Sequence, residues 1–252
     1  HIHQILALPA DQLARRSGFR LNGIVVNAAP FAQTLRRKAV EFFGDGIIHE
    51  CYGCTEVGIA TALAPELVAD KVGSVGPAIR GTEIAVRRED RSAADPDEIG
   101  DVWVKSPTLF NGYCRNETAT DEALDGPWLL TGDMGAMDQD GFLSIMDRRK
   151  DMVISGGINI YPREIEEVLL RHDSVAEAAG VGVPDEKWGE CLAAVIVPRP
   201  GKTATPDEII AYCRQHLGGY KVPRNITFAH ELLRNPAGKV MKRTIREQLS
   251  NV

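Results

Sequence analysis

The chain has 252 residues, 44% of them hydrophobic and 25% charged, with a formal net charge of −6. That balance suits one large or two ordinary globular domains and excludes a globally basic nucleic-acid-binding face. It also contains no apolar run of ~18 residues that could cross a membrane as a helix. The five cysteines, Cys51, Cys54, Cys114, Cys191 and Cys213, are odd in number and irregularly spaced. They argue against a disulfide framework and lead to the expectation of a reducing, cytoplasmic setting.

Leu21 to Asn27 is a short apolar run of the kind that forms a buried strand. After Ala28-Ala29-Pro30, the residues Phe31, Leu35, Ala39 and Phe42 recur at helical spacing, with Gly44 as a C-terminal stop. The basic run Arg36-Arg37-Lys38 within that helix reads as a solvated face. Ile47 to Cys51 reads as a second strand. Strand, loop, helix and strand in that order predict α/β architecture with parallel strands.

A β-rich stretch follows. Lys71 to Pro77 is rich in glycine, and Thr82 to Arg87 and Asp101 to Ser106 alternate like half-buried strands. Leu129-Leu130 leads into Thr131-Gly132-Asp133, and Gly141 to Met146 is a further short strand. Asp147-Arg148-Arg149-Lys150-Asp151 then places five charged residues in a row, a polar joint between domains. The expected division is 1–147, the end of a large α/β domain with its β-rich subdomain, and 148–252, a small mobile α+β domain, with a hinge at 148–151. In the second part Pro162 opens a helix whose apolar face is Ile165, Val168 and Leu169. Ala178 to Val183 and Cys191 to Val197 read as strands. Thr205-Pro206-Asp207-Glu208 is a capping box opening a helix that Gly218-Gly219 ends. Asn225 to Ala229 is a third strand, and the tail from Arg243 a short helix.

Four segments carry chemistry. The stretch HECYGCTE, His49 to Glu56, admits two readings. Cys51-x-x-Cys54 with His49 suggests a zinc knuckle or redox dithiol, but a structural zinc site needs four ligands and the other cysteines stand alone. Tyr52-Gly53-x-Thr55-Glu56 suggests a nucleotide site: a ring to stack on a base, a glycine for close approach, a hydroxyl for phosphate and a hard carboxylate for Mg²⁺. An ordinary turn with a capping threonine fits these five residues about as well. Thr131-Gly132-Asp133 offers a carboxylate that can accept two ribose hydroxyls, or an ordinary turn aspartate. Asp147-Arg148-x-Lys150 could be a solvated charge run, and Lys239 at the tip of Asn235-Pro236-Ala237-Gly238-Lys239 an inert loop lysine.

Taken in order, these segments resemble the adenylate-forming superfamily of acyl-CoA synthetases, luciferases and peptide-synthetase adenylation domains. The resemblance runs from about Leu21 to the C-terminus. It includes Ala28-Ala29-Pro30, Tyr52-Gly53-x-Thr55-Glu56, Gly73-Ser74-Val75-Gly76-Pro77, Gly112-Tyr113, Thr131-Gly132-Asp133, Asp147 to Asp151, Ser155-Gly156-Gly157-x-Asn159-Ile160-Tyr161-Pro162 and Gly238-Lys239. It implies that Ala28, Ala29 and Pro30 line the adenine face, Tyr52 stacks on the base and Glu50 accepts from its amine. Gly53 lets the backbone approach, Thr55 holds phosphate oxygens and Glu56 binds Mg²⁺. Asp133, helped by Arg148, takes the ribose hydroxyls. Lys150 is the hinge residue, Lys239 the catalytic lysine of adenylation, and Gly156 and Gly157 line the pantetheine path. The implied substrates are ATP, coenzyme A and a carboxylic acid, a fatty acid first, with aryl or alicyclic acids as alternatives. Ile158-Asn159-Ile160-Tyr161-Pro162 resembles the CoA-ligase version rather than a carrier-protein adenylation domain. The superfamily's Ser/Thr/Gly-rich phosphate loop ending in lysine is not found in the sequence. The expectation is a C-terminal portion, inactive or nearly so alone, whose partner is the N-terminal half of the same enzyme. A non-catalytic nucleotide-binding module is the rival from another class.

Overall fold

The computed structural model describes residues 2–14, 21–27, 31–68, 70–236 and 238–250. The chain divides into two units, His1–Ile145 and Met146–Val252. The first opens with two short helices, α1 (Ile2–Leu6) and α2 (Ala10–Ala14). Strand β1 (Ile24–Val26), helix α3 (Gln33–Phe43) and strand β2 (Ile48–Cys54) follow. β1 and β2 pair in parallel, Ile24 opposite Ile48, as the strand–helix–strand order predicts. Phe31, Ala39 and Ile48 form the buried contact between helix and sheet. α3 ends at Gly44, whose φ of +103° suits a residue without Cβ and whose N–H closes on the Val40 carbonyl at 2.8 Å.

One expectation fails here. Arg36 is not on the solvated face: it is 4% exposed and donates to Glu50. Only Arg37 and Lys38 of that run are exposed. The reason is angular. Arg36 lies one residue after Leu35 and three before Ala39, on the stripe that packs on the sheet, and a buried carboxylate waits there for it.

β2 continues past the predicted strand to Cys54 and turns into β3 (Gly58–Leu63), which pairs with it antiparallel. β3 is not among the strands expected from the sequence; its residues Ile59 to Leu63 mix large and small side chains without a clear period of two in burial. A six-stranded sheet follows, made of β4 (Ser74–Gly76), β5 (Glu83–Arg87), β6 (Gly100–Lys105), β7 (Leu124–Asp125), β8 (Trp128–Met137) and β9 (Leu143–Arg148). Its order is β4-β9-β8-β6-β5, with β7 paired to β8. Helix α4 (Glu117–Ala123) is capped by the Asn116 side chain accepting from the Ala119 N–H. Val57, Ala60, Val86, Val102, Val104 and Leu129 make one buried cluster that joins this sheet to the turn after β2.

The second unit is a five-stranded sheet: β10 (Val153–Ser155), β11 (Ile158–Ile160), β12 (Val175–Asp185), β13 (Gly189–Pro198) and β14 (Asn225–Phe228). Its helices are α5 (Pro162–Leu169), α6 (Pro206–His216) and α7 (Lys242–Ser250). β13 is apolar on both faces because both are covered. Leu192, Ala194 and Ile196 meet Ile165, Leu169, Ile209 and Cys213 of α5 and α6. Cys191, Ala193, Val195 and Val197 meet Leu232 and Ile245 on the side of α7. Each fully buried isoleucine or leucine contributes roughly 1.5–3 kcal/mol of transfer free energy. The capping box forms as its sequence predicts: Thr205 Oγ1 accepts from Glu208 N–H at 3.3 Å, and Glu208 Oε2 accepts from Thr205 N–H at 2.7 Å.

Candidate nucleotide site

The stretch HECYGCTE forms the last six residues of β2 and the turn beyond it. At Gly53 the β2–β3 register shifts, and a Cβ there would lie 1.9 Å from the Gly58 carbonyl oxygen. Only glycine allows this hairpin to close so tightly. Thr55 is exposed on the turn and Glu56 is half-buried beside it.

The turn is braced from the segment before α4. The Phe110 N–H donates to the Glu56 carbonyl at 2.7 Å, and Thr108 Oγ1 donates to the Val57 carbonyl at 2.7 Å. Tyr113 Oη donates to Glu56 Oε1 at 2.8 Å. Burial works against ionisation of Glu56, but hydrogen bonds from Tyr113, its own backbone and Cys54 outweigh it and hold the carboxyl below its ordinary range. The same bond to Glu56, with partial burial, pushes the Tyr113 phenol up to about 12. Gly112-Tyr113 entered the sequence resemblance without a role; the structure gives Tyr113 one, orienting the carboxylate at position 56.

Asp133 comes from β8. Between Leu130 and Met134 the strand spends four steps where β6 spends two, Trp103 to Asp101. The excess forms a bulge with Gly132 at φ +76°. Thr131 Oγ1 anchors it to the Val102 carbonyl at 2.8 Å and accepts from the Asp133 N–H at 3.2 Å. The bulge turns Asp133 toward β2, where its Oδ2 accepts from Tyr52 Oη at 2.7 Å. Burial, and then the charge of Asp133, push the Tyr52 phenol far above its ordinary value. Tyr52 therefore stays a neutral donor, a fixed ring tied to a fixed carboxylate. Glu50, two residues earlier, is buried in its pair with Arg36.

The structure thus brings Tyr52, Gly53, Thr55, Glu56 and Asp133 into one cluster. Ala28, Ala29 and Pro30 lie outside the described residues. Burial raises the thiols instead of activating them: Cys51 is pushed up by burial and the charge of Glu50, and Cys54, by burial and Glu56, up to about 11. A redox dithiol needs the opposite shift.

Arg148, Gly156, Gly157 and Lys239 belong to the second unit. Arg148 is the exposed end of β9, and Lys150 lies in the 3-10 turn Arg149–Asp151. Gly156 has φ +58°, and a Cβ on it would strike the Trp188 ring at 2.7 Å. Its N–H donates to the Trp188 carbonyl at 2.9 Å. This loop borders a cavity of about 570 Å³ whose lining includes Ser155, Gly156, Trp188, Arg214, Tyr220 and Arg224. Lys239 is exposed on a turn held by Asn235: the Lys239 N–H donates to Asn235 Oδ1 at 2.9 Å, and the Asn235 N–H to the Lys239 carbonyl at 2.9 Å.

Two family sequence models match the chain, one described as AMP-binding enzyme over residues 1–114 and one as AMP-binding enzyme C-terminal domain over residues 164–239. A long-chain-fatty-acid–CoA ligase from Salmonella typhimurium is 37% identical over 219 residues, which is 87% of this chain and 39% of that protein. Among solved structures, the amide bond synthetase McbA from Marinactinospora thermotolerans superposes with a TM-score of 0.90 at 34% identity, over 98% of this chain and 50% of that one. The o-succinylbenzoate CoA synthetase from Bacillus subtilis, in complex with its acyl-adenylate intermediate, gives 0.82 at 35% identity, over 88% of this chain and 45% of that one. The chain spans half or less of the length of these relatives.

Proposed function

This chain belongs to the adenylate-forming superfamily of AMP-binding enzymes, and on that premise we propose that it supplies the C-terminal half of an acid–CoA ligase. The ligase activates a carboxylic acid with ATP as the acyl-adenylate and passes the acyl group to coenzyme A. The observation that carries the reading is the union of Tyr52 with Asp133, 2.7 Å apart across two sheets. It joins a ring suited to stack on adenine to a carboxylate suited to accept ribose hydroxyls, as the sequence resemblance implies.

Attack of a carboxylate on the α-phosphate of ATP brings anion to anion. Thr55 on the open turn donates to phosphate oxygens. Glu56, an ionised carboxylate held in place by Tyr113, fits Mg²⁺, whose charge would offset that of the phosphates. Arg148 supports the ribose, and Lys239 neutralises the charge that develops as pyrophosphate leaves. Lys150 is the hinge of a domain comprising 148–252, which follows a large domain ending at residue 147. Gly156 and Gly157 let the pantetheine arm pass. The cavity beside them, with Arg214 and Arg224 among two aromatic rings, fits the phosphates and base of CoA. A fatty acid is the favoured substrate, given the similarity to a fatty-acid ligase. A cytoplasmic setting is part of this reading, in keeping with five cysteines that form no disulfide.

ATP–pyrophosphate exchange tests the reading. The full-length ligase exchanges in the presence of its acid, and the isolated chain, which contains no phosphate loop, does not; robust acid-dependent exchange by the chain alone overturns this division of labour. Lys239→Ala in the full-length ligase lowers exchange on the order of 10²-fold or more and lowers thioester formation from preformed acyl-adenylate far less. The similarity to an amide bond synthetase favours a second reading, in which an amine takes the acyl group. Offering CoA and amines in parallel separates the two: amide without thioester selects the second.

A further inference from the structure

Arg36 has no part in the roles above, yet it is the buried cation nearest the nucleotide motif in sequence and is bonded into it. α3 presents Arg36 on the same stripe as Ala39. β2 presents Glu50 on the same face as Ile48, because side chains alternate along a strand, and Ile48 packs on Ala39. Helix and strand therefore bring Arg36 Nη2 to Glu50 Oε2. The residues are 4% and 5% exposed. Among the described residues, Arg36 Nε and Nη1 are buried without a hydrogen-bond partner. Backbone pairing fixes Glu50 from both sides, opposite Val26 and Leu63.

We propose that Arg36 is a positioning residue for adenine recognition: it orients the Glu50 carboxylate and offsets its charge so that Glu50 can accept from the 6-amino group of the base stacked on Tyr52. This rests on the reading of Glu50 as the amine acceptor. A carboxylate can accept about four hydrogen bonds, so the bond to Arg36 does not by itself exhaust Glu50. A lone buried carboxylate two residues from the stacking ring would repel the phosphates of the nucleotide it is meant to hold. The guanidinium removes that repulsion and fixes the rotamer of Glu50.

The test compares ATP with purine riboside triphosphate, which lacks the 6-amino group, in pyrophosphate exchange by the full-length ligase. The wild type prefers ATP by about tenfold or more, the worth of a hydrogen bond to a charged acceptor. Glu50→Met abolishes the preference. Arg36→Met abolishes it too, chiefly by raising KM for ATP rather than lowering kcat, and Arg36→Lys restores part of it. Arg36→Gln, which keeps an amide donor beside Glu50 but not the positive charge, lowers the preference. Preference kept at the wild-type level in Arg36→Met, or in Arg36→Gln should Arg36→Met not fold, overturns the proposal. If Glu50→Met keeps it as well, the reading of Glu50 as amine acceptor is what failed. If only the Arg36 variant keeps it, that reading stands and the positioning role alone is lost.

Discussion

Arg36, which is buried, and Lys242, which is half-buried, both sit against carboxylates, but their surroundings differ in how completely they are satisfied. Lys242 Nζ in the second unit lies 2.8 Å from Glu166 and 3.9 Å from Asp147. Each carboxylate has further partners: Asp147 accepts from the Arg148 N–H at 2.8 Å and the Arg163 N–H at 2.9 Å, and Glu166 from the Gly180 N–H at 2.8 Å. The cluster ties Asp147, α5, β12 and α7 of the second unit together, with backbone groups completing it. Arg36 meets Glu50 through one nitrogen, and two of its others are buried without a hydrogen-bond partner. A saturated cluster is what a structural brace requires. Arg36, with two nitrogens unbonded among the described residues, falls short of that saturation.

Removing each cation is the sharpest way to break this comparison. Lys242→Met leaves the buried Asp147 and the half-buried Glu166 without their cation and costs roughly 3–5 kcal/mol, read as a shift of the denaturant midpoint. Burial works against the Lys242 charge, but Glu166 and Asp147 outweigh it and raise its pKa above the ordinary 10.5. A raised folded value means that this contribution is complete below the unfolded value and is lost as pH rises through the folded one. The deficit of the variant is therefore constant through neutral pH and shrinks only in strong alkali; a deficit that disappears near neutrality contradicts the assignment.

Arg36→Met costs less, roughly 3 kcal/mol, because the guanidinium it removes is itself incompletely bonded. Adding Glu50→Gln recovers most of that loss, since no lone charge then remains. Failure of the double variant to recover stability would place Arg36's contribution in packing rather than in the pair.

The smallest effect is expected at Tyr113, where both partners reach solvent. Tyr113→Phe changes stability by on the order of 1 kcal/mol or less, but it removes a bond that lowers the Glu56 pKa. A depressed carboxylate contributes stability above its unfolded pKa and loses it as pH falls through the folded value. The variant's Glu56 carboxyl resonance titrates at higher pH than the wild type's, and its stability falls less steeply on acidification. An unmoved titration would remove Tyr113 from the site.

Much of this molecule could be read from its sequence because local rules decide it. The spacing of Phe31, Leu35 and Ala39, the glycine at 44, the capping box at Thr205 and the continuous apolar run of β13 each need only a few neighbouring residues. The ordered motifs around Tyr52, Asp133 and Lys239 identified the family for the same reason. Three features needed the tertiary structure. Arg36 looks like a surface charge until β2 places Glu50 against α3. Tyr113 is one exposed tyrosine among several until the loop before α4 folds back on Glu56, 57 residues away in sequence. Asp133 reads as a turn residue until a two-residue excess in β8 aims it at Tyr52. Periodicity and capping act over a few residues and are written in the chain. Pairings between charges and hydroxyls tens of residues apart exist only once the sheets have fixed their register.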